Sequence, residues 1–146
     1  MSQQVKVYRE LQLLNKGIIT TNQDMVIVDD ELISKRTQNA MINTAGVSVS
    51  DLIAGVIDGT PTGAANYTLP DASDLVAGIA NCKVGSSFLF VINNKSSGAN
   101  TITVVAGSGG TADGTVTIAQ NKIRAFLIII TSITSSEAYF VYGLGA

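Results

Sequence analysis

Two segments of this chain, Phe88–Ile92 and Phe126–Ile130, are apolar for five residues in succession. A strand with one face in water alternates apolar and polar side chains, because successive side chains point to opposite faces. A strand that is apolar at every position therefore needs cover on both faces. The core of the chain's own fold can cover one face, and the other requires a helix, another segment or a second subunit. The pattern predicts a β-rich chain that works as an oligomer.

Further strand patterns surround these two segments and are separated by short runs of Gly, Asn, Ser and Pro. The predicted strands are Asn66–Leu69, Ser87–Asn93, Thr101–Val105, Thr115–Ile118, Lys122–Ile133 and Ala138–Tyr142. Short strands joined by turns favour an all-β fold, which we expect to be an antiparallel β-sandwich of jelly-roll-like type with one short helix.

A seven-residue motif occurs twice, as Ser50–Val56 and as Ser73–Ile79. The second copy predicts the short helix, since Asp71 or Ser73 can cap its first turn. The first copy runs into the turn signal Asp58–Pro61, so both helix and strand are open there, and strand is favoured. Two copies of this length do not predict a solenoid.

Residues 1–46 differ in composition from the rest of the chain, because they contain ten of the twenty charged residues and two of the fourteen glycines. The apolar positions alternate near the N-terminus, although a helical stripe fits the same stretch, and the run Met25–Val28 predicts a short strand. We interpret 1–46 as an extended arm that docks the protein, and 47–146 as a β-sandwich oligomerisation domain. The residues expected to dock the arm are Val5, Val7, Leu11, Leu13, Val26 and Val28.

The composition argues against several kinds of chemistry. The chain has no histidine, so Ser-His-Asp and Cys-His catalysis and His metal sites are not available within one chain. The acidic cluster Asp29–Glu31 is interpreted as a solvated turn, and Gly107–Gly110 as a turn without the Lys of a phosphate loop. We expect no enzyme activity, no cofactor and no metal, although carboxylate chemistry stays formally open.

The composition also limits the partners. The nine basic residues are scattered and the net charge is −2, so we expect no nucleic-acid partner. The N-terminus has no secretory pattern and no apolar run is long enough to span a bilayer, so we expect no membrane partner. Tyr139 and Tyr142 are interpreted as part of a half-buried aromatic strand, with a binding patch as the alternative.

The chain from Asp51 to its end resembles a β-sandwich domain of bacteriophage virion proteins, found in capsid decoration proteins and in head or tail fibres. The stretches that carry the resemblance are Gly59–Thr62, Asn66–Pro70, Val84–Phe88, Ile92–Asn94, Ser97–Val104 and Ile118–Asn121. The resemblance implies a homotrimer of compact sandwiches on a virus particle, with no catalytic site, docked by the part of the chain outside the sandwich.

These considerations lead to one expected function and one alternative. We expect a capsid decoration (cement) protein on the capsid surface of the virion, with itself and the major capsid protein as partners. The alternative is a head or tail fibre adhesion module that binds a receptor on the host surface. The residues expected in the core and in subunit contacts are Phe88, Phe90, Phe126, Ile128 and Ile130.

Overall fold

The computed structural model describes residues 19–20, 26–27 and 37–145, and the chain divides into two compact units, Met1–Ser34 and Lys35–Ala146. In the first unit, β1 (Ile19–Thr20) pairs antiparallel with β2 (Val26–Ile27). Val26, an expected docking residue, is thus in a strand, as predicted for this run. The other expected docking residues lie outside the described residues, namely Val5, Val7, Leu11, Leu13 and Val28.

The second unit consists mostly of strands, with two short helices. Its elements in chain order are β3 (Thr37–Met41), β4 (Ala45–Gly46), α1 (Val49–Ala54), β5 (Gly55–Gly59), β6 (Ala65–Thr68), α2 (Ala72–Gly78), β7 (Ser87–Asn94), β8 (Ile102–Val105), β9 (Gly110–Gly114), β10 (Thr117–Ile118), β11 (Ile123–Ser132) and β12 (Ala138–Gly143). A four-stranded sheet has the order β10-β8-β6-β4, and a six-stranded sheet has the order β3-β5-β7-β11-β12-β9.

From β3 to β8 the chain winds alternately between the two sheets. Because it crosses to the other sheet after each strand, it returns to the first sheet in the same direction. β3, β5 and β7 are therefore parallel neighbours, and so are β4, β6 and β8. This part of the chain forms three stacked turns of a parallel β-coil, which β11 and β12 continue as antiparallel strands of the six-stranded sheet.

The two helices occupy equivalent corners of this coil, since each leads from the four-stranded sheet back to the six-stranded sheet. They contain most of each copy of the sequence motif, although Gly55 and Val56 of the first copy begin β5, and the leucine at the third position, Leu52 or Leu75, is fully buried in each. Ser48 and Asp51 form a capping box at the start of α1, and Gly55 ends the helix with a φ of 86°. These two signals overcome the strand tendency that we predicted for the first copy.

One hydrophobic core lies between the two sheets. Tyr67, Ile102 and Val104 enter it from the four-stranded sheet, and Ile57 and Phe90 enter it from the six-stranded sheet. The sheets approach closely at Gly59, where an added Cβ would overlap the Ile102 Cδ1 and Tyr67 Oη atoms. The aromatic pair Phe90 and Phe126 stacks within this core with ring centroids 5.2 Å apart.

The mostly-β class is confirmed, but the strands are not antiparallel throughout. Five of the described pairs are parallel, and four of them arise because the alternate winding replaces hairpins from β3 to β8. Residues 37–145 also contain two short helices where one was expected. The compact units divide after Ser34 rather than at residue 46, since β3 and β4 pair with β5 and β6 and so belong to the sheets.

Candidate functional site

The two uninterrupted apolar strands, β7 and β11, present one face to the core. Phe90, Phe126, Ile128 and Ile130 are buried there, and Phe88 is half-buried against the same cluster. The structure therefore places all five expected core residues in or against the core. Their expected role in subunit contacts stays a prediction, and the side chains that alternate with them are the ones turned away from the core.

The opposite side of the six-stranded sheet forms a second apolar surface, which we call the apolar outer face. Its members are half-buried side chains from the four central strands, namely Val56, Val91, Leu127, Ile129, Phe140 and Tyr142. Strand pairing aligns them in rows across the sheet, with Val56 opposite Val91 and Ile129 opposite Phe140. Leu89, on the same side, is 43% exposed.

The aromatic part of this face is ordered by contacts between its own side chains. The rings of Phe140 and Tyr142 stack with centroids 5.8 Å apart and planes 15° from parallel. Leu127 lies directly opposite Tyr142 on the neighbouring strand. The face therefore presents a continuous surface of aliphatic and aromatic side chains, the composition found at the centre of subunit interfaces.

A polar cluster borders the apolar outer face where β3, β5 and β7 run towards their C-terminal ends. Its centre is Asp58, a residue that is 8% exposed and whose carboxylate accepts hydrogen bonds from the side-chain amides of Gln38 and of Asn93, the latter at 3.1 Å. The Lys95 ammonium also donates to this carboxylate and forms an ion pair with it. The buried charge is thus paired and fully hydrogen-bonded, which leaves little net charge at this border.

Loops on a rigid scaffold often carry recognition, and the loop that follows β7 is held by a network of its own side chains. Asn94 donates to the Asn100 carbonyl at 2.9 Å and accepts from the Ser96 backbone N–H at 3.1 Å. Asn100 in turn donates to the Pro61 carbonyl at 3.0 Å and to the Ser96 hydroxyl. The loop is therefore a fixed structure that displays Lys95, Ser97 and Ala99 as its exposed residues.

The glycine-rich segment Gly107–Gly110 is a turn, as predicted. It packs against the start of α2, where the Ser108 backbone N–H donates to Asp71 Oδ1 at 2.7 Å. Tyr139 holds the other side of this turn, because its hydroxyl accepts from the Gly107 N–H at 2.9 Å and donates to the Pro70 carbonyl at 3.0 Å. Burial raises the pKa of the Tyr139 phenol, while its hydrogen bond from Gly107 lowers that pKa and the nearby Asp71 charge raises it.

The chemistry-bearing residues of the described part do not form a metal site. Among residues 37–145 there is no group of three or more Cys, Asp or Glu side chains placed to hold a metal ion. Asp29–Glu31, the densest acidic run of the sequence, lies outside the described residues. Cys82 is a free, half-buried thiol that packs against the core, as expected of a small apolar residue.

The sequence indicates that the apolar outer face exists but does not indicate all the residues on it. The second faces of β7 and β11 were predicted to need cover, whereas Val56 and Phe140 were not predicted to lie beside them. Of the two tyrosines considered for a binding patch, Tyr142 lies on the apolar outer face and Tyr139 is buried in the core, and a binding role of Tyr142 stays a prediction. Only the strand order reveals that β5 and β12 flank β7 and β11, so no signal in the sequence assigns their outward residues to one face.

Comparison with protein families, with curated proteins and with solved structures finds no match for this chain. A search of the described helices for a membrane span finds none of sufficient length and apolar character.

Proposed function

We propose that this chain is a virion structural protein, a homotrimeric capsid decoration (cement) protein that binds and stabilises the major capsid shell from the capsid surface. The proposal combines the resemblance of residues 51–146 to phage virion domains with the surface described above. The two sheets face each other around one core, which supports a β-sandwich. The parallel strand pairs differ from the antiparallel pairs of a jelly roll.

The observation that carries the proposal is the apolar outer face. Four strands contribute to it, and its central rows contain no charged side chain. Homomeric interfaces are richer in apolar surface than the rest of a protein's exterior, and charged residues are depleted at their centres. A surface of this composition supports self-assembly through the six-stranded sheet.

Cementing a shell requires buried area and many copies rather than a reaction. A specific interface buries about 1,600 Å² in total, and repeating it over a shell multiplies a modest free energy per contact. The role therefore needs no cofactor and no catalytic group. Under this proposal the chain before Lys35 supplies the docking segment, since it forms a separate compact unit.

The self-assembly part is tested by placing a charge on the apolar outer face. Leu127→Lys should convert the trimer to monomers in analytical ultracentrifugation, because each interface would then bury an unpaired ammonium. Val105→Lys is the matched control, since Val105 is 37% exposed on the other sheet. A wild-type protein that is monomeric at micromolar concentration would contradict the trimer.

The particle part is tested on virions of the phage that encodes the chain. A decoration protein should be present in hundreds of copies per particle, counted by electron microscopy. Deletion of residues 2–34 should abolish binding to particles that lack the protein while the remainder still forms an oligomer. A deletion variant that still decorates particles would exclude the docking role of the first unit.

The alternative is a head or tail fibre adhesion module that binds the host surface. The hydrogen-bonded loop at 94–100 favours this alternative, because a loop that is already ordered loses little conformational entropy when it binds a receptor. A fibre would be present in a few to a few tens of copies per particle. The same copy count therefore separates the two functions.

A further inference from the structure

The six-stranded sheet ends in two strands that each have a single partner within residues 37–145. β3 pairs only with β5 at one edge, and β9 pairs only with β12 at the other. Monomeric proteins protect such edges with lysine, proline or bulges, because an open edge pairs readily with another strand. β3 has the sequence TQNAM and β9 the sequence GTADG, so Asp113 is the single charged residue in the two edges.

Backbone hydrogen bonds show which peptide groups of these strands point outward. The Met41 carbonyl accepts from the Thr60 N–H at 3.0 Å and so faces β5, which turns the peptide groups of Gln38 and Ala40 to the open side. On β9, the Gly109 carbonyl accepts from the Tyr139 N–H at 3.1 Å, and the same alternation turns Ala112 outward.

The two edges are matched in length and direction. Each strand has five residues. β3, β5 and β7 are parallel, β11 reverses the direction, β12 reverses it again, and β9 is parallel to β12. β3 and β9 therefore run the same way at opposite edges of one sheet. Rotation about an axis that lies along the strands preserves this direction, so an edge β9 and a rotated edge β3 meet as parallel strands.

We propose that β9 of one copy pairs with β3 of the next copy, so that the six-stranded sheets join edge to edge into a closed ring with their apolar outer faces turned inward. This inference rests on the proposed function for the number of subunits. A head-to-tail contact of this kind closes when the rotation fits a whole number of copies, and each copy uses both edges once.

The ring would cover both the open strand edges and the apolar outer face. Each existing neighbour of the edges is already a parallel strand, so the new pair repeats the geometry that β3 and β9 use within the chain. Phe140 and Tyr142 lie opposite Thr111 and Asp113 of β9, and Val56 lies opposite Gln38 of β3, so the apolar outer face extends up to the strands beside both edges. Closing the ring therefore satisfies open peptide groups and covers apolar side chains together.

The test uses proline on the outward peptide groups of the full-length protein. Ala40→Pro and Ala112→Pro each remove an outward N–H and leave the bonds to β5 and β12 intact. Ala40→Ser and Ala112→Ser are matched controls that keep the N–H. In native mass spectrometry, each proline variant should raise the concentration needed for half-assembly about tenfold or more, from the lost hydrogen bond and the ring clash. The serine variants should assemble like wild type.

A second measurement covers the case in which a proline variant fails to fold. Hydrogen exchange of the wild-type protein should show slow exchange at the Ala40 and Ala112 amides when it is assembled, and fast exchange after dilution below the dissociation concentration. Amides that exchange fast in the assembled protein would overturn the proposal. Slow exchange that persists in the monomer would also overturn it, because a segment of the same chain would then cover the edges.

The outcomes separate this inference from the proposed function. Proline variants that remain fully assembled would overturn edge pairing and leave a decoration trimer standing. Loss of assembly in both proline variants would support edge pairing even if the protein failed to bind particles. A dimer that Ala40→Pro disrupts and Ala112→Pro does not would indicate pairing of β3 with β3 of a second copy, and would overturn the ring.

Discussion

The side-chain amide of Asn94 donates a hydrogen bond of 2.9 Å to the backbone carbonyl of Ile118, and so connects the last residue of β7 to β10 in the opposite sheet. Asn94 is fully buried, and its second amide hydrogen and its carbonyl oxygen are bonded to the loop at 96–100. One buried polar side chain thus fixes both the edge of the four-stranded sheet and the loop that leaves the six-stranded sheet.

Asn94→Asp should destabilise the fold, because the amide NH2 group, which donates to two backbone carbonyls, becomes a carboxylate oxygen that faces them. We expect a loss of about 2–4 kcal/mol in the free energy of unfolding, measured by urea denaturation. Asn66→Asp makes the same chemical change at an exposed position and should cost under about 0.5 kcal/mol. Equal losses in the two variants would contradict the role assigned to Asn94.

Adjacent residues of β11 should have different effects on folding and on assembly. Phe126→Ala removes a ring that is stacked on Phe90 in the core, and should cost about 3–5 kcal/mol of the free energy of unfolding. Leu127→Ala, on the apolar outer face, should weaken assembly in analytical ultracentrifugation and cost the monomer less. A Leu127→Ala protein that assembles like wild type would show that this side chain does not lie in an interface.

The polar cluster around Asp58 should depend on the carboxylate more than on the lysine. Asp58→Ala leaves the amides of Gln38 and Asn93 without their acceptor, so we expect a loss of about 1–3 kcal/mol. Lys95→Met should cost less than about 1 kcal/mol, since the Lys95 side chain is 47% exposed and water screens its ion pair. Thermal melting of both variants measures which one loses more stability. A larger loss for Lys95→Met than for Asp58→Ala would contradict the prediction.

Stability should fall at alkaline pH because burial raises the pKa values of the Tyr139 and Tyr67 phenols in the folded state. Above the ordinary tyrosine pKa of about 10, the unfolded chain loses phenol protons that the folded chain retains. The folded state then binds more protons, so the free energy of unfolding decreases as pH rises, and it is unaffected by these groups below that pKa. Urea denaturation from pH 8 to 11 measures this dependence.

Tyr139→Phe should flatten this alkaline decrease and should also cost about 1–3 kcal/mol at neutral pH, since the Gly107 N–H and the Pro70 carbonyl lose their partner. Tyr142→Phe is the control, because Tyr142 lies on the apolar outer face. An alkaline profile that is identical in wild type and in Tyr139→Phe would rule out a contribution from this phenol.

Strand positions were largely predictable from the sequence, because alternation and turn residues are local signals. β6, β7, β8, β11 and β12 match the predicted ranges to within one or two residues, whereas only the last two residues of Thr115–Ile118 form β10. β9 was missed, since a run of Gly, Thr, Ala and Asp has low strand propensity and is a strand only because β12 lies beside it.

Strand order and direction were not predictable in the same way. Alternation in one strand is the same whether its neighbour is parallel or antiparallel, so hairpins were the natural expectation for short strands joined by turns. The repeated motif carried the missing information, because Leu52 and Leu75 recur at successive corners of one coil. The apolar outer face was predicted only at Phe88–Ile92 and Phe126–Ile130, where the sequence of one strand is apolar at every position.

The alternate winding between the sheets has a consequence for synthesis on the ribosome. Residues 37–105 form turns that each lie on the turn before, so each strand from β5 to β8 can pair with a strand already made. β9 waits longer, because its partner β12 is translated only after β10 and β11 and begins at Ala138. The nascent chain thus carries β9 without its partner until β12 emerges, and a ribosome that stalls before Ala138 leaves β9 without the strand that it pairs with.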